Sequence, residues 1–80
     1  MSPLADRITS TIKRALAVEV PASSTDLVAA GILDSLAMVS LIVAIETEFG
    51  IELPLDDFDP DRFRTVDRMA EFVAEAGGSA

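Results

Sequence analysis

The sequence predicts an all-α fold: a small bundle of three main helices and one short helix, with a long first loop. Three observations lead there. Apolar residues recur every three or four positions in three separate segments, the period of a helix with a buried face. Proline and glycine fall between those segments or at their edges. No stretch alternates apolar and polar residues in the manner of a strand. With 80 residues, half of them apolar, residues 1–80 are read as one domain. A chain so short buries about 60% of its unfolded surface, so the core is small.

Ser2 and Pro3 open the first helix, a capping hydroxyl followed by a proline at the first helical position. Leu4, Ile8, Ile12 and Leu16 follow at intervals of four, and Lys13 and Arg14 lie toward the end where the helix dipole favours cations. This helix is expected over residues 3–17. Residues 18–34 form a connection long enough to suggest a functional loop, broken by Pro21 and the run SSTD. Val20, Leu27, Val28, Ile32 and Leu33 are expected to pin it to the core, with Gly31 allowing a turn. The second helix is expected over residues 35–49. Leu36, Val39, Ile42, Ile45 and Phe49 are assigned to its core face, while Met38, Leu41 and Val43 widen its apolar surface beyond what one groove needs. Gly50 ends it in a left-handed cap. Pro54 blocks continuation, and DDFDPDRF is read as a short helix over residues 57–63 anchored by Phe58 and Phe63. Thr65 caps a last helix over residues 65–76, with Val66, Met69, Phe72 and Val73 inward and Asp67 in the first turn. Gly77 and Gly78 close it.

The formal net charge is −8, and no basic residue lies between Arg14 and Arg62, an interval that holds ten acids. Nucleic acid is excluded as a partner class, because phosphate backbones call for clustered Lys and Arg. A strongly negative side is expected, which steers basic partners. The longest central apolar run, LIVAI, is far below the ~20 residues that a membrane-spanning helix needs. The opening MSPLADRITS carries an acid early and has no apolar run of a secretory leader. Cysteine is absent, which suits a reducing compartment, and a cytoplasmic setting is expected.

Chemistry is limited by the same counts. With neither His nor Cys, the commonest general base and the thiol nucleophile are missing, and a Ser–His–Asp triad is impossible. No catalytic residue is assigned, and the protein is read as not an enzyme. Asp57, Asp59 and Asp61 alternate like the start of a calcium loop. However, the sixth position is Arg62 where Gly belongs, and the twelfth is Arg68 where Glu belongs. No metal site is assigned. Ser35 remains. Either Asp34 or Ser35 can cap the second helix. In both cases the Ser35 hydroxyl sits at the positive end of the helix dipole, where a phosphate ester is stabilised without any catalytic group in this chain. As a cap alone, Ser35 would belong to an acidic helical adaptor with no carrier role.

The stretch GILDSLAMVSLIVAIETEFGIELP resembles the acyl and peptidyl carrier proteins, and the resemblance extends over residues 4–76. It implies the family's small four-helix bundle, with covalent 4′-phosphopantetheine on the serine of the Asp-Ser-Leu motif, here Ser35. It also implies recognition by a phosphopantetheinyl transferase through Asp34 and Leu36. Cargo would ride as a thioester on the imported thiol and be presented to partner enzymes. Fatty-acid carriers place acids early in the second helix, where this chain has Ala37 and Ser40. Ala37, Met38 and Leu41 are therefore assigned as a more apolar docking face. The pattern, including DDFDPDRFRTVDRM, is closest to the stand-alone D-alanyl carrier-like (aminoacyl) carriers. Free-standing carriers of nonribosomal peptide or polyketide-type biosynthesis are similar, and the Ala, Asp and Arg content favours them. The implied partners are the transferase, an adenylating loading enzyme and downstream acyl- or aminoacyl-transferring enzymes. A fatty-acid-type role is the alternative within the family.

Overall fold

The computed structural model describes residues 3–53 and 59–78. Those residues form helices α1 (Pro3–Leu16), α2 (Ser35–Phe49) and α3 (Val66–Glu75), with a 3₁₀ turn at Pro60–Phe63 and no strand among them. The expected Ser2 cap, the Pro54 stop and the Asp57–Phe58 start of the short helix lie outside the described residues. The molecule measures 28 × 26 × 19 Å, with α1 packed against both α2 and α3.

Each helix end has a local cause. α1 stops at Leu16, one residue short of the expected end, because Ala17 takes a left-handed conformation with φ 55°. Gly50, at φ 65°, turns the chain out of α2 while its N–H donates to the Glu46 carbonyl. The Glu46 carboxylate then accepts the Leu53 N–H at 3.0 Å and holds the exit strap. Arg7 of α1 donates to the Glu48 carbonyl at 2.8 Å and lies 4.5 Å from the centre of the Phe49 ring. Arg14 adds an ion pair to Glu48 at 3.3 Å. Two cations thus meet the negative end of the α2 dipole. Asp59 caps the 3₁₀ turn by accepting the Asp61 N–H at 3.0 Å. Thr65 caps α3 by accepting the Arg68 N–H at 3.1 Å, so it flanks the helix and is not its first residue. At the far end the Gly78 N–H reaches the Val73 carbonyl and the Gly77 N–H that of Ala74, the paired bonds that close a helix through a left-handed glycine.

The core is one cluster. α1 contributes Ala5, Ile8 and Ile12, α2 contributes Leu41, Ile42 and Ile45, and α3 contributes Val66, Met69, Phe72 and Val73. Phe63 from the 3₁₀ turn and Leu27, Leu33 and Leu53 from the loops complete it. Phe63 meets Phe72 edge-on, ring centres 5.6 Å apart at 88°. Thr11 is buried, but its hydroxyl donates to the Arg7 carbonyl, so no polar group is stranded there.

Three expectations of inward residues are corrected. Leu36 is 78% exposed and Val39 60% exposed, so neither is in the core. Val28 is exposed as well, because it rides on the outside of the turn that Leu27 anchors. α2 is apolar nearly all round, and its inner face is the one that carries Leu41, Ile42 and Ile45. Phe63→Ala should lower the unfolding free energy by about 3–5 kcal/mol, a large part of a small domain's total. Val43→Ala, on the exposed side, should change it by less than about 0.5 kcal/mol. Urea denaturation of the two variants measures both.

Candidate functional site

The first loop delivers the site. Asp26 accepts the N–H groups of Val28 at 3.1 Å and Ala29 at 2.9 Å through one carboxylate oxygen, which starts a turn. Gly31, at φ 75°, carries the chain round, and the Leu27 carbonyl accepts the N–H groups of Ile32 and Leu33. Leu27 and Leu33 are buried on either side of the turn. Arg64, which follows the 3₁₀ turn, ties this loop to the segment that leads into α3. Its carbonyl accepts the Leu27 N–H at 2.7 Å, its Nη1 donates to Asp26 Oδ2 at 2.9 Å, and its Nε donates to Asp61 Oδ1 at 2.6 Å. The Ala29 N–H above all, with Arg64 and the Val28 N–H helping and desolvation opposing, holds the Asp26 carboxyl below the usual carboxylate range. Asp61 first and Asp26 second hold Arg64 above its ordinary value.

From Leu33 the chain enters α2. Asp34 is extended, at φ −108° and ψ −175°, and its carboxylate accepts the Ala37 N–H at 2.8 Å. Asp34 is therefore the cap and Ser35 the first helical residue, which resolves the two roles that the sequence left open. The Met38 N–H reaches the Asp34 carbonyl at 2.8 Å. The N–H groups of Ser35 and Leu36 have no acceptor among the described residues. Ser35 is exposed, so its hydroxyl and these two donors meet solvent together at the positive end of α2. An open groove of about 600 Å³ begins beside it, lined by Val28, Leu33, Asp34, Ser35, Met38, Val39, Ile42 and Arg64.

The residues named from sequence separate into two groups. Asp34, Ser35 and Leu36 are exposed together at the helix start, and Ala37 and Met38 are half-buried beside them. Leu41 is corrected: it is fully buried in the core and offers nothing to a partner. The exposed apolar side of α2 is instead Leu36, Val39 and Val43, at the i, i+3, i+7 spacing of one stripe. That spacing stands in the sequence, but Ile42, Ile45 and Phe49 show the same period. Residues 35–45 also contain no charge to mark the outer side. Arg64 was missed too. Its i,i+3 spacing from Asp61 is readable, whereas its tie to Asp26, far off in sequence, is a product of the fold.

Over residues 6–73 the chain matches the family described as phosphopantetheine attachment site, and it belongs to that family. It is similar to the D-alanyl carrier proteins of Streptococcus pyogenes serotypes M5, M49 and M1, at 44% identity over 50 residues in each case. The match covers 62% of this chain and 63% of each relative, so it spans less than two thirds of the relatives' length. The group that defines the family is covalent 4′-phosphopantetheine. The helix start fits the phosphate of such a group, since it offers an exposed hydroxyl and two unpaired N–H donors at the positive end of the dipole.

Two outcomes follow. Asp34→Ala should cost about 1 kcal/mol through the lost cap. Ser35→Ala should stay within about 0.5 kcal/mol of the parent. Paired denaturation curves of the unmodified proteins test this. Because the folded-state pKa of Asp26 is lowered, its stabilising contribution is complete above the unfolded carboxylate pKa and is lost as pH falls through the folded value. The stability gap between the parent and Asp26→Asn should therefore be steady near neutral pH and close in acid, which a pH series of melting curves measures.

Proposed function

We propose that the protein is a discrete carrier of acyl or aminoacyl groups and that the Ser35 hydroxyl is the attachment point. One observation carries this reading: Ser35 is exposed as the first residue of α2, beside free N–H donors, in a chain with no sulfhydryl or imidazole. When attached, 4′-phosphopantetheine supplies the thiol that the chain lacks and holds cargo on it as a thioester. The roles of the chain's own residues are to offer, orient and present. Asp34 caps α2 and fixes the direction in which Ser35 leaves the surface. The unpaired N–H groups of Ser35 and Leu36 stabilise negative charge on a phosphodiester at that position. The one carboxylate of the motif, Asp34, is engaged as the helix cap by the Ala37 N–H, so activation of the hydroxyl falls to a phosphopantetheinyl transferase that uses coenzyme A and magnesium. The carrier itself catalyses nothing.

Leu36, Val39 and Val43, with the half-buried Ala37 and Met38 beside them, form the face read by the transferase, by an adenylating loading enzyme and by downstream transferring enzymes. A contiguous exposed apolar stripe suits such contacts. The charge-free run 35–45 favours aminoacyl or small-acyl traffic over a fatty-acid-type role, in which early acids would meet basic partners. Similarity to D-alanyl carrier proteins supports an aminoacyl cargo, either D-alanyl or an amino acid of natural-product assembly. The working compartment under this reading is the cytoplasm, where coenzyme A is available. No helix among the described residues is long and apolar enough to cross a membrane.

The test is intact-mass spectrometry after incubation with coenzyme A, magnesium and a broad-specificity transferase. The parent should gain one phosphopantetheinyl group and a folded Ser35→Ala variant none. A folded parent that several transferases leave unmodified would instead make Ser35 an ordinary helix residue and the protein an acidic adaptor.

A further inference from the structure

Between Asp26 and Asp34 the first loop has no helix or strand to hold it. Its exposed part, Val28 to Gly31, stands beside the helix start that carries Ser35, and Val28 lines the same opening as Ser35 and Val39. The Asp26 carboxylate governs this turn. Its Oδ1 accepts the Val28 and Ala29 N–H groups, and its Oδ2 accepts from Nη1 of Arg64. Among the described residues, Arg64 is the one partner that this carboxylate has outside its own turn.

Arg64 grips two consecutive residues. Its carbonyl accepts the Leu27 N–H at 2.7 Å, while its guanidinium donates to the Asp26 carboxylate at 2.9 Å. One bond would leave the turn free to pivot about Leu27. Two bonds, to neighbouring residues, fix its direction as well. The guanidinium is itself aimed. Nε donates to Asp61 Oδ1 at 2.6 Å, and the Arg64 N–H reaches the Asp61 carbonyl at 3.3 Å, which seats Arg64 on the end of the 3₁₀ turn. A planar fork with one donor engaged in this way presents the others in a set direction.

We propose that Arg64 is a positioning residue for the attachment step: through Asp26 it keeps the turn at residues 28–31 clear of the Ser35 hydroxyl. This rests on attachment at Ser35. Without the tie, the turn is still rooted at the buried Leu27 and Leu33. Between those roots it is free to sample positions over the start of α2, where it covers the hydroxyl. A transferase then finds only a fraction of the molecules open. Its apparent affinity falls by that fraction, whereas every step after an open molecule is bound is unchanged. The signature is a raised KM for the carrier with kcat kept.

The experiment measures phosphopantetheinyl transfer to the full apo chain by a broad-specificity transferase with coenzyme A and magnesium. Mass spectrometry first confirms transfer to the parent, and circular dichroism confirms that each variant is folded. Arg64→Gln should raise KM on the order of 3–10-fold, the usual effect of losing one partly exposed hydrogen bond, and leave kcat unchanged. Asp26→Asn keeps an oxygen for the Val28 and Ala29 N–H groups but turns an NH₂ toward Arg64, so the turn stays and the tie is lost. It should raise KM to the same extent, and the double variant no further. The two substitutions shift the net charge in opposite directions, so a shared rise is not an effect of electrostatic steering. Arg64→Lys, which keeps one charged donor, should recover part of the loss. Arg62→Gln should match the parent, because Arg62 pairs with Glu75 and lies over Phe72, away from the turn. An unchanged KM in folded Arg64→Gln or in folded Asp26→Asn would overturn the proposal. A rise in Arg64→Gln alone would overturn it as well, since Arg64 would then be meeting the transferase directly. A parent that gains no phosphopantetheinyl group overturns attachment itself, and mass alone reads that outcome.

Discussion

The Leu27 N–H bonded to the Arg64 carbonyl at 2.7 Å is the contact on which the site depends. The connection between α1 and α2 has no helix or strand to pair its backbone groups, and such groups must be satisfied when they are buried. Leu27 solves this at one point. Its side chain is fully buried, its N–H is taken by Arg64, and its carbonyl takes two N–H groups from Ile32 and Leu33. The Asp67 N–H at the start of α3 is in turn taken by the Ser23 carbonyl. The loop is thus registered against α3 as well as against the helix that it leads into. Ser35 inherits its position from both, and a change near the start of α3 can reach the helix start that carries the motif.

α2 keeps charge at its ends and off its sides. Asp34 holds one end, and Glu48 with Arg7 and Arg14 holds the other. Between them, residues 35–45 have no ionisable group. One side of this run is the middle of the core, and the other is an exposed row of branched apolar residues. A helix in a chain this small has little need of so much apolar surface for stability alone. The excess is consistent with repeated, weak contact with other proteins, in which exposed apolar side chains are covered only for a time.

Much of this was legible in the sequence, for identifiable reasons. α1 and α3 each have a polar side and an apolar side, so period alone placed Ile8, Ile12, Val66, Met69 and Val73 in the core. Gly31 and Gly50 marked turns because left-handed backbone favours glycine. The Asp-Ser-Leu motif was readable because it is contiguous. α2 resisted the same treatment. With apolar residues on every side, period cannot rank its faces: it points Leu36 and Val39 inward and leaves Leu41 free to face out, the reverse of their burial. What ranks them is the packing of α1 and the loops, which a single helix does not encode. Arg64 was illegible for a related reason, since its partner Asp26 is separated from it by the whole of α2.

The exposed stripe on α2 also limits how the molecule can be shared. From Leu36 to Val43 it runs about 10 Å along the helix. A specific interface takes about 800 Å² from each partner, wider than this stripe in both directions. Two proteins cannot occupy it at once. Any proteins that cover this stripe must take turns, and each stay ends only when the occupant leaves. The stripe has one place, and an occupant excludes the next protein until it has left.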